Sequence, residues 1–154
     1  MLGGRGLGRS AAGLLLFADH RGSWLMNCAS NPVSYFEIPV HDLARAMGFY
    51  RAVLGCGFEQ AHVDGNEMAF FPFDEEGSGA SGALAQGESY VPGRAGARIY
   101  FRVPDIHAAL SRAVAAGGVV LYPVTEVGRF GFVAEVEDSE GNCMALHAVA
   151  PARA

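Results

Sequence analysis

No lysine occurs among the 154 residues, and all eleven basic side chains are arginine. A lysine base or a Schiff-base intermediate is thereby excluded. Cysteine is scarce: Cys28, Cys56 and Cys143 are far apart, odd in number and form no C-x-x-C pair. A disulfide framework is not expected, and a reducing, cytoplasmic compartment is the simpler reading. Positive charge is short as well. The net charge is −5 and no basic stripe exists, which argues against a nucleic-acid partner. The apolar run Ala11–Ala18 is ended by Asp19-His20-Arg21. It is far short of the roughly 20 residues that span a bilayer, so no membrane partner is expected. Walker loop, dinucleotide fingerprint, nucleophile elbow and zinc-ligand spacing are all missing.

What is present is a repeat. Tyr35–Leu43 and Arg98–Ile106 are each a short apolar run followed by an aspartate and a helical pattern that ends at glycine. With a constant offset of 63, Val40 falls on Val103, Asp42 on Asp105, Leu43 on Ile106, Ala46 on Ala109 and Gly55 on Gly118. Such a repeat fixes the architecture before any single motif does. A chain that is 51% hydrophobic and this long suits one domain with a real core. We expect an N-terminal extension over 1–30, a single domain over 31–149 and a tail over 150–154. Within the domain, module one covers 31–87 and module two 94–149. The extension has the basic start and apolar middle of a signal peptide, but charges follow at once and no cleavage site precedes Trp24. It reads as a poorly ordered segment, with Met26 as a candidate start.

Val33–Val40 alternates as a strand, and Asp42 suits an N-cap. Leu43, Ala46, Met47, Tyr50, Val53 and Leu54 make one helical stripe, which Gly55 and Gly57 stop. Phe58–Val63 and Glu67–Phe73 read as strands joined by a tight turn at Asp64-Gly65, with Gly82–Gln86 as a fourth. Glu88–Ala97 links the halves. The order then repeats: strand Ala97–Val103, cap Asp105, a helix with its stripe from Ile106 to Ala116, and strands Val119–Pro123, Phe130–Glu137 and Cys143–Ala148. The fold class is therefore α+β. Two tandem βαβββ modules form a curved mixed sheet around a cavity, with the helices outside.

The residues Tyr35–Tyr50, Asp64–Phe73, Val103–Leu110 and Phe132–His147 together resemble the vicinal oxygen chelate superfamily. It contains glyoxalase I, fosfomycin-resistance proteins, bleomycin-binding proteins and extradiol dioxygenases. The resemblance covers about residues 31–149 and is nearest to the bacterial branch described as glyoxalase-related proteins. It implies a homodimer, since members often build cavities across a dimer. In metal-dependent members the ligands come from the first and last strand of each module. The matching positions here are Tyr35, Arg98, Gly82 or Ala83, and Ala145, and none is a usual ligand. Arg98 would repel a cation. No metal and no other cofactor is expected. If a ligand set did form, Glu37, Glu67 and His147 are the nearby candidates.

The strand pattern puts Tyr35 and Glu37 on one face of the first strand, and Arg98 and Tyr100 at the equivalent positions of module two. Cys143 and His147 share the face of Ala145. Glu37 and His147 are the candidate catalytic pair, for proton transfer. Tyr35, Arg98, Tyr100, Met68, Phe70, Phe130 and Cys143 are the candidate substrate-binding residues, and such a set suits an anionic or carbonyl-bearing small molecule. Phe130, in Arg129-Phe130-Gly131-Phe132, would sit on a flap. The competing reading makes Glu37 and Arg98 an ion pair that bridges the modules. His41, His62 and His107 read as surface residues.

Three functions follow. The first is a glyoxalase-like enzyme with lyase or isomerase chemistry next to a carbonyl and no standard metal centre. The second is a non-catalytic small-molecule binding protein like the bleomycin-binding members. The third is a dimeric scaffold with a vestigial pocket. A wide cavity lined mainly by phenylalanine and tyrosine would favour the second.

Overall fold

The computed structural model describes residues 17–18, 24–25 and 32–149. Phe17–Ala18 (β1) and Trp24–Leu25 (β2) pair antiparallel within a unit of their own, Met1–Pro32. The expectations for Met26 and for the tail lie outside the described residues. Among the described residues no helix is long and apolar enough to cross a membrane.

The second unit begins at Val33 and carries both copies of the repeat. Module one runs β3 (Tyr35–Pro39), α1 (Leu43–Leu54), β4 (Glu59–Val63), β5 (Asn66–Phe70) and β6 (Ser81–Gln86). Module two runs β7 (Tyr100–Arg102), α2 (Ile106–Ala115), β8 (Val119–Glu126), β9 (Phe132–Glu137) and β10 (Cys143–Ala148). The two βαβββ modules of the expected α+β fold are therefore present. The expected single sheet is instead two four-stranded mixed sheets, ordered β3-β6-β5-β4 and β7-β10-β9-β8. In each, the first strand lies parallel to the last and the others are antiparallel. Each first strand pairs on one side only, with β6 or with β10.

Side chains alternate across each sheet, so one face is buried and the other open. Ile38, Leu84 and Ala69 of sheet one lie beneath Leu43, Ala46, Met47, Tyr50 and Val53 of α1. Met144, Leu146, Ala134 and Val136 of sheet two lie beneath Ile106, Ala109 and Ala113 of α2. The two helices also pack on each other, and all of these residues form one core. At its centre the Tyr50 ring sits 5.7 Å from Phe71 and 5.8 Å from Phe101, both as measured between ring centroids.

Both helices start as the pattern predicts. Asp42 accepts from Arg45 N and Asp105 from Ala108 N, each satisfying an amide with no helical partner. The turn between β9 and β10 reaches further. The Glu140 carboxylate accepts from His41 N at 2.9 Å and Asp42 N at 3.0 Å, and Arg45 Nε donates to it at 2.7 Å. Asp138 accepts from the Tyr50 hydroxyl at 2.7 Å. Asn142 Nδ2 donates to Pro39 O at 2.9 Å. Module two also closes the other end of α1: the Arg112 guanidinium donates to Ala52 O and Val53 O at 2.9 and 2.8 Å.

Candidate functional site

One end of sheet one is open. There β3 and β6 begin, β5 ends and β4 begins, and a cavity of about 680 Å³ lies at their ends. Its walls are Tyr35, Phe58, Phe70, Phe71, Pro72 and Phe73, with Ser34, Ser81 and Glu59 as the polar side chains. Among the described residues no basic side chain lines it. Tyr35 and Phe70 come from the open face of the sheet. Phe71 belongs to the buried core, so one wall is rigid, whereas Phe73 is 68% exposed at the mouth. The volume suits a drug-sized ligand, and the lining is mostly aromatic with a few polar groups, as in ordinary small-molecule sites.

Beside the cavity, on the same open face, lies a hydrogen-bonded cluster. Tyr90 donates its hydroxyl to Glu37 Oε2 at 2.5 Å. Tyr35 also lies against Glu37. Partial burial, and then the neighbouring carboxylate, push the Tyr35 phenol up to about 12. Tyr35 is thus a proton donor throughout the neutral and mildly alkaline range. The phenol lost in Tyr35→Phe should titrate near 12 in a difference ultraviolet titration against the wild type. In a Glu37→Gln background the same difference should move toward 10. A wild-type phenol already titrating near 10 would show that Tyr35 and Glu37 do not interact.

Tyr100, Cys143 and His147 lie on the open face of sheet two, with Arg98 beside them. Arg98 Nη1 sits 3.1 Å from Glu135 Oε1. Cys143 in turn lies 3.8 Å from Glu135 Oε2. The bridging Glu37–Arg98 ion pair is therefore not formed: Glu37 takes Tyr90, and Arg98 takes Glu135. Tyr100 is exposed on β7 beside Ala145. His147 Nε2 donates to Phe130 O at 2.6 Å and so holds the short 3-10 turn Gly128–Phe130, whose Phe130 ring is exposed. That hydrogen bond occupies one ring nitrogen of the candidate base. Glu37 and His147 thus belong to different sheets and different hydrogen-bond sets. Met68 is buried in a small cluster with Ala83 and Ala85, under Phe70 and Tyr90. His62 is exposed and lies 2.8 Å from Glu67, which uses the carboxylate named above as a ligand candidate.

A divalent cation, implied by the metal-dependent relatives of the resemblance, does not fit these residues. The positions are filled by a protonated phenol, an ion-paired guanidinium and alanine, and alanine offers no donor atom. Among the described residues no group of three or more His, Cys, Asp or Glu side chains comes together.

Sequence reasoning missed Phe58, Phe73, Ser34 and Ser81 at the cavity, Tyr90 over Glu37, and Glu135 beside Arg98. The run Phe70-Phe71-Pro72-Phe73 was the available signal, because a proline ends a strand and leaves the aromatic side chains beyond it without ladder partners.

The family model for the glyoxalase/bleomycin resistance protein/dioxygenase superfamily matches residues 33–146. Among curated proteins, no sequence matches the chain. Solved structures do. TnmS3, an antibiotic binding protein from a Streptomyces species, is 21% identical with a TM-score of 0.61, over 80% of this chain and 100% of its own. A glyoxalase/bleomycin resistance protein from Albidiferax ferrireducens is 17% identical with a TM-score of 0.60, over 77% and 98%. A glyoxalase I variant from Zea mays is 17% identical with a TM-score of 0.58, over 77% of this chain but 46% of the maize chain. At these identities the likeness is one of fold.

Proposed function

Since the chain belongs to the glyoxalase/bleomycin resistance protein/dioxygenase superfamily, whose shared fold does not dictate a shared activity, we propose that it binds and sequesters an uncharged aromatic small molecule. The observation that carries this reading is the cavity of about 680 Å³ walled by Tyr35, Phe58, Phe70, Phe71 and Phe73. Apolar rings desolvate and stack on a planar ligand, while the Tyr35 hydroxyl and two serines orient it. Glu59 at the cavity, with no cation opposite among the described residues, disfavours an anion. Arg98, on which an anionic ligand would depend, is held by Glu135.

A second reading, proton-transfer chemistry of lyase or isomerase type, draws support from one observation. Glu37 lies beside the cavity with two phenols against it, one of which donates to it.

A homodimer and a cytoplasmic location belong to the same proposal. The open faces expose Tyr35, Val63, Tyr100, Val119 and Tyr122, an apolar surface that a second copy would cover. Cys56 and Cys143 are free thiols.

The test uses N-phenyl-1-naphthylamine, an uncharged probe whose fluorescence rises in apolar sites. Saturable binding is expected, weakened about tenfold by Phe73→Ala, the loss of about 1.4 kcal/mol of ring contact. Phe73 is exposed, so its removal leaves the fold intact. Absence of saturable binding, or equal affinity in the variant, would sink the reading.

A further inference from the structure

The segment after β6 does more than join the modules. Gly87 begins it, where an added Cβ would meet the Asn66 side-chain amide and turn it aside. Tyr90 N donates to Gly87 O at 3.1 Å, and this turn folds Tyr90 back over the open face of sheet one. The ring rests on Met68, Ala83 and Ala85, the same cluster on which Phe70 packs. Ala83 and Ala85 are the smallest side chains that a strand can offer short of glycine, and they leave a trough on the sheet which the Tyr90 ring fills. The hydroxyl is tied to Glu37. Beyond it, Val91 is exposed, Gly93 N donates to Asn142 Oδ1 at 2.9 Å, and Arg94 pairs with Glu137. The strap is thus anchored at both ends, and between its anchors it is held to the sheet by one ring and one hydrogen bond.

The trough is continuous with the cavity. Phe70 is a wall of the cavity and packs on the same Met68, Ala83 and Ala85 bed that carries Tyr90. Tyr35, another wall, lies against the Glu37 carboxylate that Tyr90 holds. We propose that Tyr90 is a gate. Seated, it closes the cavity at Phe70 and Tyr35. Swung out on the segment between Gly87 and Gly93, it joins the trough to the cavity and admits a longer aromatic ligand. This deepens the binding reading above and rests on it. Tyr90 would set the length of ligand accepted, and the Glu37 hydrogen bond would set how readily the gate opens.

The experiment compares two uncharged probes on wild type, Tyr90→Ala and Tyr90→Phe: the compact N-phenyl-1-naphthylamine and the larger Nile red. Equilibrium titrations are run on variants whose melting curves match a folded protein. A gate predicts that Tyr90→Ala tightens Nile red at least tenfold and leaves the compact probe within twofold. Tyr90→Phe keeps the ring and loses only the hydrogen bond to Glu37. It should bind Nile red several-fold faster in stopped flow, and it decides the matter if the alanine variant does not fold. If the wild type binds the compact probe but the variants gain nothing for Nile red, or lose both probes alike, Tyr90 is a structural cover and the gate is overturned while the binding reading stands. Binding of Nile red only after Tyr90 is removed, with the compact probe bound by wild type and variant alike, would support the gate in a fully closed form. If no protein binds either probe, both readings fall.

Discussion

Tyr50→Ala should lower the unfolding free energy by about 4 kcal/mol, the usual cost of removing a large aromatic side chain from a core that cannot collapse around the space. Tyr50 has no exposed surface and packs against Phe49, Phe71 and Phe101 at ring distances of 5.4–5.8 Å. Its hydroxyl donates to Asp138, which reaches it from module two. Burial and the adjacent carboxylate hold that phenol well above its ordinary pKa. The residue therefore joins ring packing in one module to a turn in the other. Tyr50→Phe keeps the packing and removes one hydrogen bond. Asp138 Oδ2 still accepts from Asn142 Nδ2 at 3.0 Å, so the expected loss is smaller, about 1–2 kcal/mol. Urea unfolding of both variants separates the two contributions. A loss under about 1.5 kcal/mol for Tyr50→Ala would mean that the site relaxes freely and that the two modules do not share a core.

The second large effect lies at Glu140. Its side chain is completely covered, and it accepts from two backbone amides at the start of α1 and from Arg45 and Ser139. Glu140→Ala strands those amides, at an expected cost of about 3 kcal/mol. The pH dependence has a definite sign. Burial alone would raise the Glu140 pKa. The Arg45 guanidinium and the Asp42 and His41 amides outweigh it, and the carboxyl titrates below its ordinary range. A group depressed in the folded state contributes its full stability above the unfolded value of about 4.3 and loses it as the pH falls from there through the lower folded value. Wild type should therefore destabilise more steeply than Glu140→Gln as the pH falls below about 4.3. Parallel acid-unfolding curves for the two proteins would rule out this assignment.

Local patterns carried most of the fold. The stripe from Leu43 to Leu54 gives a helix with those bounds, and Asp42 and Asp105 cap as their spacing implies. Cys143–Ala148 is the last strand as read. The edges are where it failed. Ala97–Val103 shrinks to Tyr100–Arg102, because β7 pairs on one side only and its length is set by β10 rather than by its own residues. For the same reason no strand pattern could reveal whether β3 and β7 join: alternation fixes faces, not the neighbour across an edge. The candidate site was legible to the level of faces. Tyr35 and Glu37 do share one, as do Tyr100, Cys143 and His147 by register. Partners were not legible, since Arg98 could as well meet Glu135 as Glu37. The turn Asp138–Asn142 looked like an ordinary hairpin connection. Its contacts with His41, Asp42 and Tyr50 lie 88 to 99 positions away, a separation that no local signal reports.

The two clamps on α1 bear on how the chain folds as it is made. Glu140 closes the first turn of this helix, and Arg112 takes the carbonyls of its last turn. Both belong to the half synthesised later. A 12-residue helix is marginal on its own in water. The packing of α1 on sheet one comes from its own half, but both ends of the helix stay open until Arg112 and Glu140 have been made. The repeat, though written as two equal copies, therefore closes as one unit.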